Sequence, residues 1–181
     1  MAKIITSLAI VGMLSGISLV FVYSYAMPKI QQNVASETEK AVKNIFPALA
    51  LIDEEKEEGL FTIKDKAGKI SGYAFLAEGG GYQGTIKLLA GIDRECTVLK
   101  GIEIIESQET PGLGAEIVSG KFRNQFLGLS ITRPIEYVKN EKPSKPYQIE
   151  AITGATISSR AVVNILNKRI QEIRQIVKEK I

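Results

Sequence analysis

"KISGYAFLAEGGGYQGTIKLLAGID", residues 69–93, places two apolar runs on either side of six residues of which four are glycine. A link that short joins antiparallel neighbours, because a parallel return needs a crossover of about a dozen residues or more. The pattern extends in both directions. Upstream, "LFTIKD" (60–65) is joined through "KAGK"; downstream, "DREC" leads into "TVLKGIEIIES" (97–107). Short apolar runs separated by turn residues predict an antiparallel meander of four strands.

Beyond residue 107 the pattern changes. "SQETPGLGAEIVSGKFRNQFLG" begins with a proline and two glycines, which predict a rigid loop, and "AEIVSGKFRNQF" (115–126) then predicts a short helix. "KNEKPSKPYQ" is a polar loop with two prolines, and "YQIEAI" (147–152) is a candidate final strand. Val162, Ile165, Leu166, Ile170, Ile173, Ile176 and Val177 recur at spacings of three and four, which predicts a terminal amphipathic helix. The expected class is α+β, an antiparallel sheet with flanking helices.

The amino terminus belongs to another environment. From Ile4 to Met27 there are 24 residues without a charge. At about 1.5 Å per residue such a helix crosses the roughly 30 Å hydrocarbon layer. Tyr23 and Tyr25 suit an interfacial belt, and Pro28 with Lys29 closes the span. "SYA" (24–26) resembles a signal-peptide cleavage site, but the apolar run exceeds the usual 7–15 residues, which favours a retained single-pass anchor. The expected organisation is an anchor over 1–28, a stalk helix and charged linker ("DEEKEEG") over 29–55, and a sheet domain over 56–181. The short leading tail favours a cytoplasmic start with the remainder exported.

Composition excludes several chemistries. The chain has no histidine and a single cysteine, Cys96. Histidine-based acid–base catalysis, histidine-ligated zinc or haem, and iron–sulfur ligation are therefore absent, and no metal site is expected. Cys96 reads as a small core residue. Lys3 is the only charge in residues 1–28, so the remaining chain carries 22 basic against 20 acidic groups, a net of +2. That is no footprint for nucleic acid. Six Lys/Arg against two Glu in residues 160–181 read as a solvated helix face, with lipid head groups or an acidic partner as the alternative. Redox or group-transfer chemistry would need an organic cofactor.

Three glycine-containing segments are candidates for holding one. "EGGGYQGTI" (78–86) lacks the Gly-Lys-Ser/Thr of a nucleotide-triphosphate loop, which leaves a tight turn or a flat ligand against the backbone. "ETPGLG" (109–114) combines a proline-fixed bend with an apolar side chain between glycines. "TGAT" (153–156) reads either as a helix cap or as an attachment point. A threonine hydroxyl at a helix start lies beside unpaired N–H groups and the positive end of the helix dipole, so an esterified phosphate would be held there.

"ITGATISS" resembles the flavinylation motif of the FMN-binding domain family, Asp-x-x-Ser/Thr-Gly-Ala-Thr. "GGGYQGTIKLLAGID", "LKGIEIIESQETPGLGAEI", "KFRNQFLG" and the single amino-terminal span extend the likeness over essentially the whole chain. Glu150 stands where the motif has aspartate. Two branches share this layout: the G-type subunits of Rnf ion-translocating oxidoreductase complexes, and the C-type subunits of the sodium-pumping NADH:quinone reductase. The chain resembles the first, because it is too short for the additional segments of the second.

The resemblance implies a phosphoester between FMN and Thr156, made from FAD by a magnesium-dependent flavin transferase. It implies cofactor contacts from Thr153, Gly154, Ala155, Glu109, Thr110, Pro111, Gly112, Leu113 and Gly114, to which we add Tyr82 or Tyr73 beside the ring. It also implies an electron-carrying protein with no substrate-converting site of its own. The expected partners are polytopic membrane subunits, an iron–sulfur subunit and an NADH-binding subunit, with the domain on the extracytoplasmic side of the cell (inner) membrane. Two rival readings are a membrane-tethered binding or assembly module without flavin, and a stand-alone exported flavoprotein.

Overall fold

The computed structural model describes residues 2–47, 51–54 and 59–179. They fall into two compact units, Met1–Glu37 and Thr38–Ile181.

The described residues of the first unit are all helical. They belong to α1, Ala2–Ile45, which runs on through Pro28. Among the described residues this is the one helix long and apolar enough to cross a membrane. The large apolar side chains of its first part are bare: Leu8 is 68% exposed and Phe21 75%. In water each such side chain forgoes about 1.5–3 kcal/mol of burial energy, which a lipid environment restores. At the end of the apolar run Lys29 donates to the Tyr25 hydroxyl at 2.8 Å, the pairing of an aromatic and a cation found at interfaces.

The second unit is built on the predicted meander, with one strand added. β1 (Leu51–Glu54), β2 (Leu60–Lys64), β3 (Ile70–Gly80), β4 (Thr85–Asp93) and β5 (Leu99–Ser107) pair antiparallel in sequence order. β1 takes Asp53 and Glu54 from the segment expected to be linker; residues 55–58 of that segment lie outside the described residues. Both sheet faces are covered. Phe75, Ala77, Ile86, Leu88, Ala90 and Ile92 face a large core completed by α3, Thr156–Glu179, while Ala74, Leu89 and Ile63 face Ala41 and Val42 from the end of α1 and Phe46 just beyond it. Alternation along β3 and β4 assigns the two sets to opposite faces.

On the second face three glycines form a trough. Gly91 pairs with Gly101, and Gly72 lies two residues from Ala74, the partner of Gly91. A Cβ at Gly91 would stand 2.6 Å from the Phe46 ring, and one at Gly72 3.1 Å from it. Only glycine lets the ring lie this close to the sheet.

The segment after β5 differs from the single short helix expected. It forms a 3₁₀ turn at Gly114–Val118, a one-turn α2 at Gly120–Arg123 capped by the Ser119 hydroxyl, and a second 3₁₀ turn at Asn124–Phe126. Phe122 and Phe126 are buried edge to face, with ring centroids 5.3 Å apart. Packing these two rings takes precedence over a regular helix. The expected final strand is β7, Gln148–Glu150. Its partner is β6, Glu136–Val138, in a separate parallel pair.

Candidate functional site

The β3–β4 hairpin closes with the Gly81 N–H donating to the Gly84 carbonyl at 2.7 Å. Its two tip residues, Tyr82 and Gln83, are exposed and turn their N–H groups away from solvent toward one carboxylate oxygen. They donate to Glu109 Oε1 at 2.7 and 3.2 Å. The other oxygen, Oε2, accepts from the Ser158 hydroxyl at 2.7 Å. Glu109 thus ties together the glycine turn, the "ETPGLG" loop and the start of α3, three segments far apart in sequence. A second link joins the first two, where the Thr110 hydroxyl meets the Gln83 side-chain oxygen.

Two glycines permit this closeness. A Cβ at Gly81 would land on Glu109 Oε1. One at Gly114 would land on Oε2 and stand 2.6 Å from the Ser158 hydroxyl. Gly112 and Gly154 serve differently: both have φ in the left-handed region, +72° and +82°, where side chains are strained.

The "TGAT" loop is fixed from within by Ser159. Its hydroxyl donates to the Ala155 carbonyl and accepts from the Ile152 N–H, each at 3.0 Å, while the Ala155 N–H returns to the Ile152 carbonyl. The Ser159 N–H also bonds the Ala155 carbonyl at 3.0 Å, which places the first rung of α3 there. The N–H groups of Thr156, Ile157 and Ser158 precede that rung and point out of the helix start. No acidic residue occupies the first turn of α3. This donor set fits an esterified phosphate: three N–H groups, the positive end of a helix dipole and a hydroxyl beside them.

Burial sorts the hydroxyls of "TGATISS". Ser158 and Ser159 are 2% and 0% exposed; Thr153 is exposed and Thr156 half-buried. Of the remaining predicted residues, Ala155 is buried, Gly154 and Pro111 are exposed, and the Leu113 side chain comes within contact range of Gly154, 3.7 Å from the position of its missing Cβ. Leu113, Tyr82 and Ile157 are exposed apolar groups on the three converging segments. Tyr73 does not join them. It is 8% exposed and belongs to the core on the α3 face, so it cannot flank a ring at this site.

Glu150 is held through its backbone. Its N–H donates to the Gln125 side-chain oxygen at 2.7 Å and its carbonyl accepts from the Gln125 amide at 3.2 Å. Glu150 and Thr153 line a cleft of about 290 Å³ with Glu116, Lys121 and Phe122. Sequence patterning passes over Gln125, Ser158 and Ser159. The one signal for the serines is the polar pair in "TISS", which interrupts an otherwise apolar inward face.

Cys96 lies elsewhere, in the β4–β5 turn. Burial, with Asp93 adding, pushes its thiol above the ordinary range, in keeping with an inert core residue. Among the described residues no three His, Cys, Asp or Glu side chains gather to hold a metal.

Comparison with known proteins agrees with this layout. The FMN-binding domain model matches residues 81–171, which include all three converging segments. The G-type subunit of the ion-translocating oxidoreductase complex of Methanosarcina acetivorans is 29% identical, over 94% of this chain and 93% of that one. The G-type subunit of the proton-translocating ferredoxin:NAD(+) oxidoreductase complex of Clostridium ljungdahlii is 30% identical, over 92% and 88%. Among solved structures, NqrC of Shewanella oneidensis superposes with a TM-score of 0.62 at 19% identity, covering 74% of this chain and 73% of that one, which shows a shared fold. The chain belongs to the FMN-binding domain family, among the G-type subunits of ion-translocating oxidoreductase complexes.

Proposed function

We propose that this chain is a membrane-anchored flavoprotein subunit whose FMN is esterified through its phosphate to Thr156. In this role it relays electrons within an Rnf-type complex that couples ferredoxin:NAD⁺ electron transfer to Na⁺ or H⁺ movement. The carrying observation is the convergence at Thr156: a half-buried threonine at the helix start beside three outward N–H groups, on a loop locked by Ser159.

When bound, FMN supplies reversible one- and two-electron chemistry that side chains without histidine or paired thiols lack. The chain's own residues hold it. On this reading the Thr156 hydroxyl oxygen would take the FMN phosphoryl group from FAD, with AMP as the leaving group and the hydroxyl proton released. The N–H groups of Thr156, Ile157 and Ser158 offset the phosphate charge. Leu113, Ile157 and Tyr82 offer apolar surface beside it. A covalent tether suits the extracytoplasmic side, where a diffusible cofactor would be lost. The partners on this reading are the polytopic, iron–sulfur and NADH-binding subunits, together with the flavin transferase and membrane lipid.

Peptide mass determination on protein made together with the transferase tests this. The peptide bearing Thr156 is expected to be heavier by one FMN less water, and Thr156→Ala is expected to abolish the addition. Covalent flavin retained in Thr156→Ala moves the acceptor to the exposed Thr153, since Ser158 is buried. A wild-type chain of unaltered mass leaves a tethered binding module instead.

A further inference from the structure

We propose that Glu109 is a positioning residue for the flavin acceptor and does not itself contact the cofactor. The proposal rests on Thr156 being the acceptor. Both carboxylate oxygens are already engaged by neutral donors of the chain: the Tyr82 and Gln83 N–H groups on Oε1 and the Ser158 hydroxyl on Oε2. The residue is 6% exposed, which removes it from a ligand approaching Thr156 from solvent. A buried carboxylate is costly unless donors meet its oxygens, so the two segments that supply them, the β3–β4 turn and the start of α3, are held in one arrangement against the loop that carries Glu109.

The arrangement bears directly on the acceptor. Ser158 lies two residues after Thr156 in the first turn of α3, so its bond to Glu109 sets where that turn starts and which way its N–H groups aim. Tyr82 and Leu113, the exposed apolar groups, are carried on the other two segments. Gly81 and Gly114 admit no side chain, because each would collide with a Glu109 oxygen. Glu109 therefore registers the hydroxyl, the N–H groups and the apolar surface against one another before any flavin arrives.

The test uses the full-length chain in detergent, with FAD, Mg²⁺ and the transferase, comparing wild type, Ser158→Ala, Glu109→Ala and the double variant. Ser158→Ala is expected to keep its fold and to load flavin at least about tenfold more slowly, as small misplacements of reacting groups cost rates of this order. In the protein before loading, the same substitution is expected to speed hydrogen exchange at the Tyr82 and Gln83 amides, 76 and 75 residues away in sequence, because their shared acceptor is loosened. The double variant is expected to load no more slowly than the slower single variant.

Wild-type loading rates in Ser158→Ala, unaltered exchange at Tyr82 and Gln83, or additive rate losses in the double variant would each overturn the proposal. If Glu109→Ala does not fold, Ser158→Ala decides through rate and exchange. A wild-type chain that takes no flavin overturns the acceptor assignment instead, and the exchange measurement still decides whether Glu109 couples the three segments.

Discussion

Asp93 and Glu109 are both carboxylates that hold turns in this domain, and they draw their donors from very different distances. Asp93 closes the β4–β5 turn with neighbours four and five residues ahead. Its Oδ1 accepts from the Thr97 and Val98 N–H groups at 2.7 and 2.9 Å, and its Oδ2 from the Thr97 hydroxyl at 2.7 Å. Glu109 accepts from residues 26, 27 and 49 positions away. The local carboxylate shapes one turn and ends its influence there. The distant one exists only once the sheet, loop and helix have assembled, so it couples their geometry. The site proposed above, with a hydroxyl, a phosphate and a flat ring in register, would need the second kind.

The contrast can be broken most forcefully at Gly114. Gly114→Ala forces a methyl group onto Glu109 and Ser158, and overpacking of this kind costs about 1–3 kcal/mol. Chemical denaturation should show the loss, with flavin loading slowed as well. A neutral Gly114→Ala would mean that the clamp yields easily.

Asp93 should matter less. Asp93→Asn keeps an oxygen for the two N–H groups but loses the charge, which predicts a loss of about 0.5–1 kcal/mol at neutral pH after solvent screening. Partial burial alone would raise the Asp93 carboxyl. The bonds from Val98 and Thr97 outweigh it and hold the group below its ordinary 3.8. The stability this contributes is present above about pH 4 and is lost as pH falls through the lower folded-state value. The difference between wild type and Asp93→Asn should therefore narrow in acid. A gap that stays constant from about pH 7 to about pH 3 would remove the charge from the explanation.

Leu113→Ala should have the smallest effect on stability. The side chain is 52% exposed, and such substitutions stay within about 0.5 kcal/mol. Its consequence should appear in the fluorescence of bound flavin, which a merely structural surface leucine would leave unaltered.

The same contrast explains what sequence can reveal. β2 to β5 are legible because alternation, short links and turn residues are local signals, and α3 because its apolar positions repeat at helical spacing. β1 escapes notice since "LIDE" runs straight into an acidic stretch that reads as linker. The β6–β7 pair does so because three-residue strands joined across a proline-containing loop leave no periodic trace. At the site, "TGAT" is recognisable as a string, and the structure adds the serines that lock it. In the sequence Glu109 is one more residue of a ligand-binding loop. Its donors lie up to 49 residues away, and nothing in "ETPGLG" announces a buried carboxylate.

The glycine trough bears on how this domain is to be excised for biochemistry. Phe46 and Val42 seal the face of the sheet formed by Ala74, Leu89 and the glycines, so the last turns of the long helix are part of the domain's foundation. A soluble fragment cut just ahead of the first strand would bare a greasy groove and precipitate. One beginning at Thr38 would carry its own lid and stay dispersed.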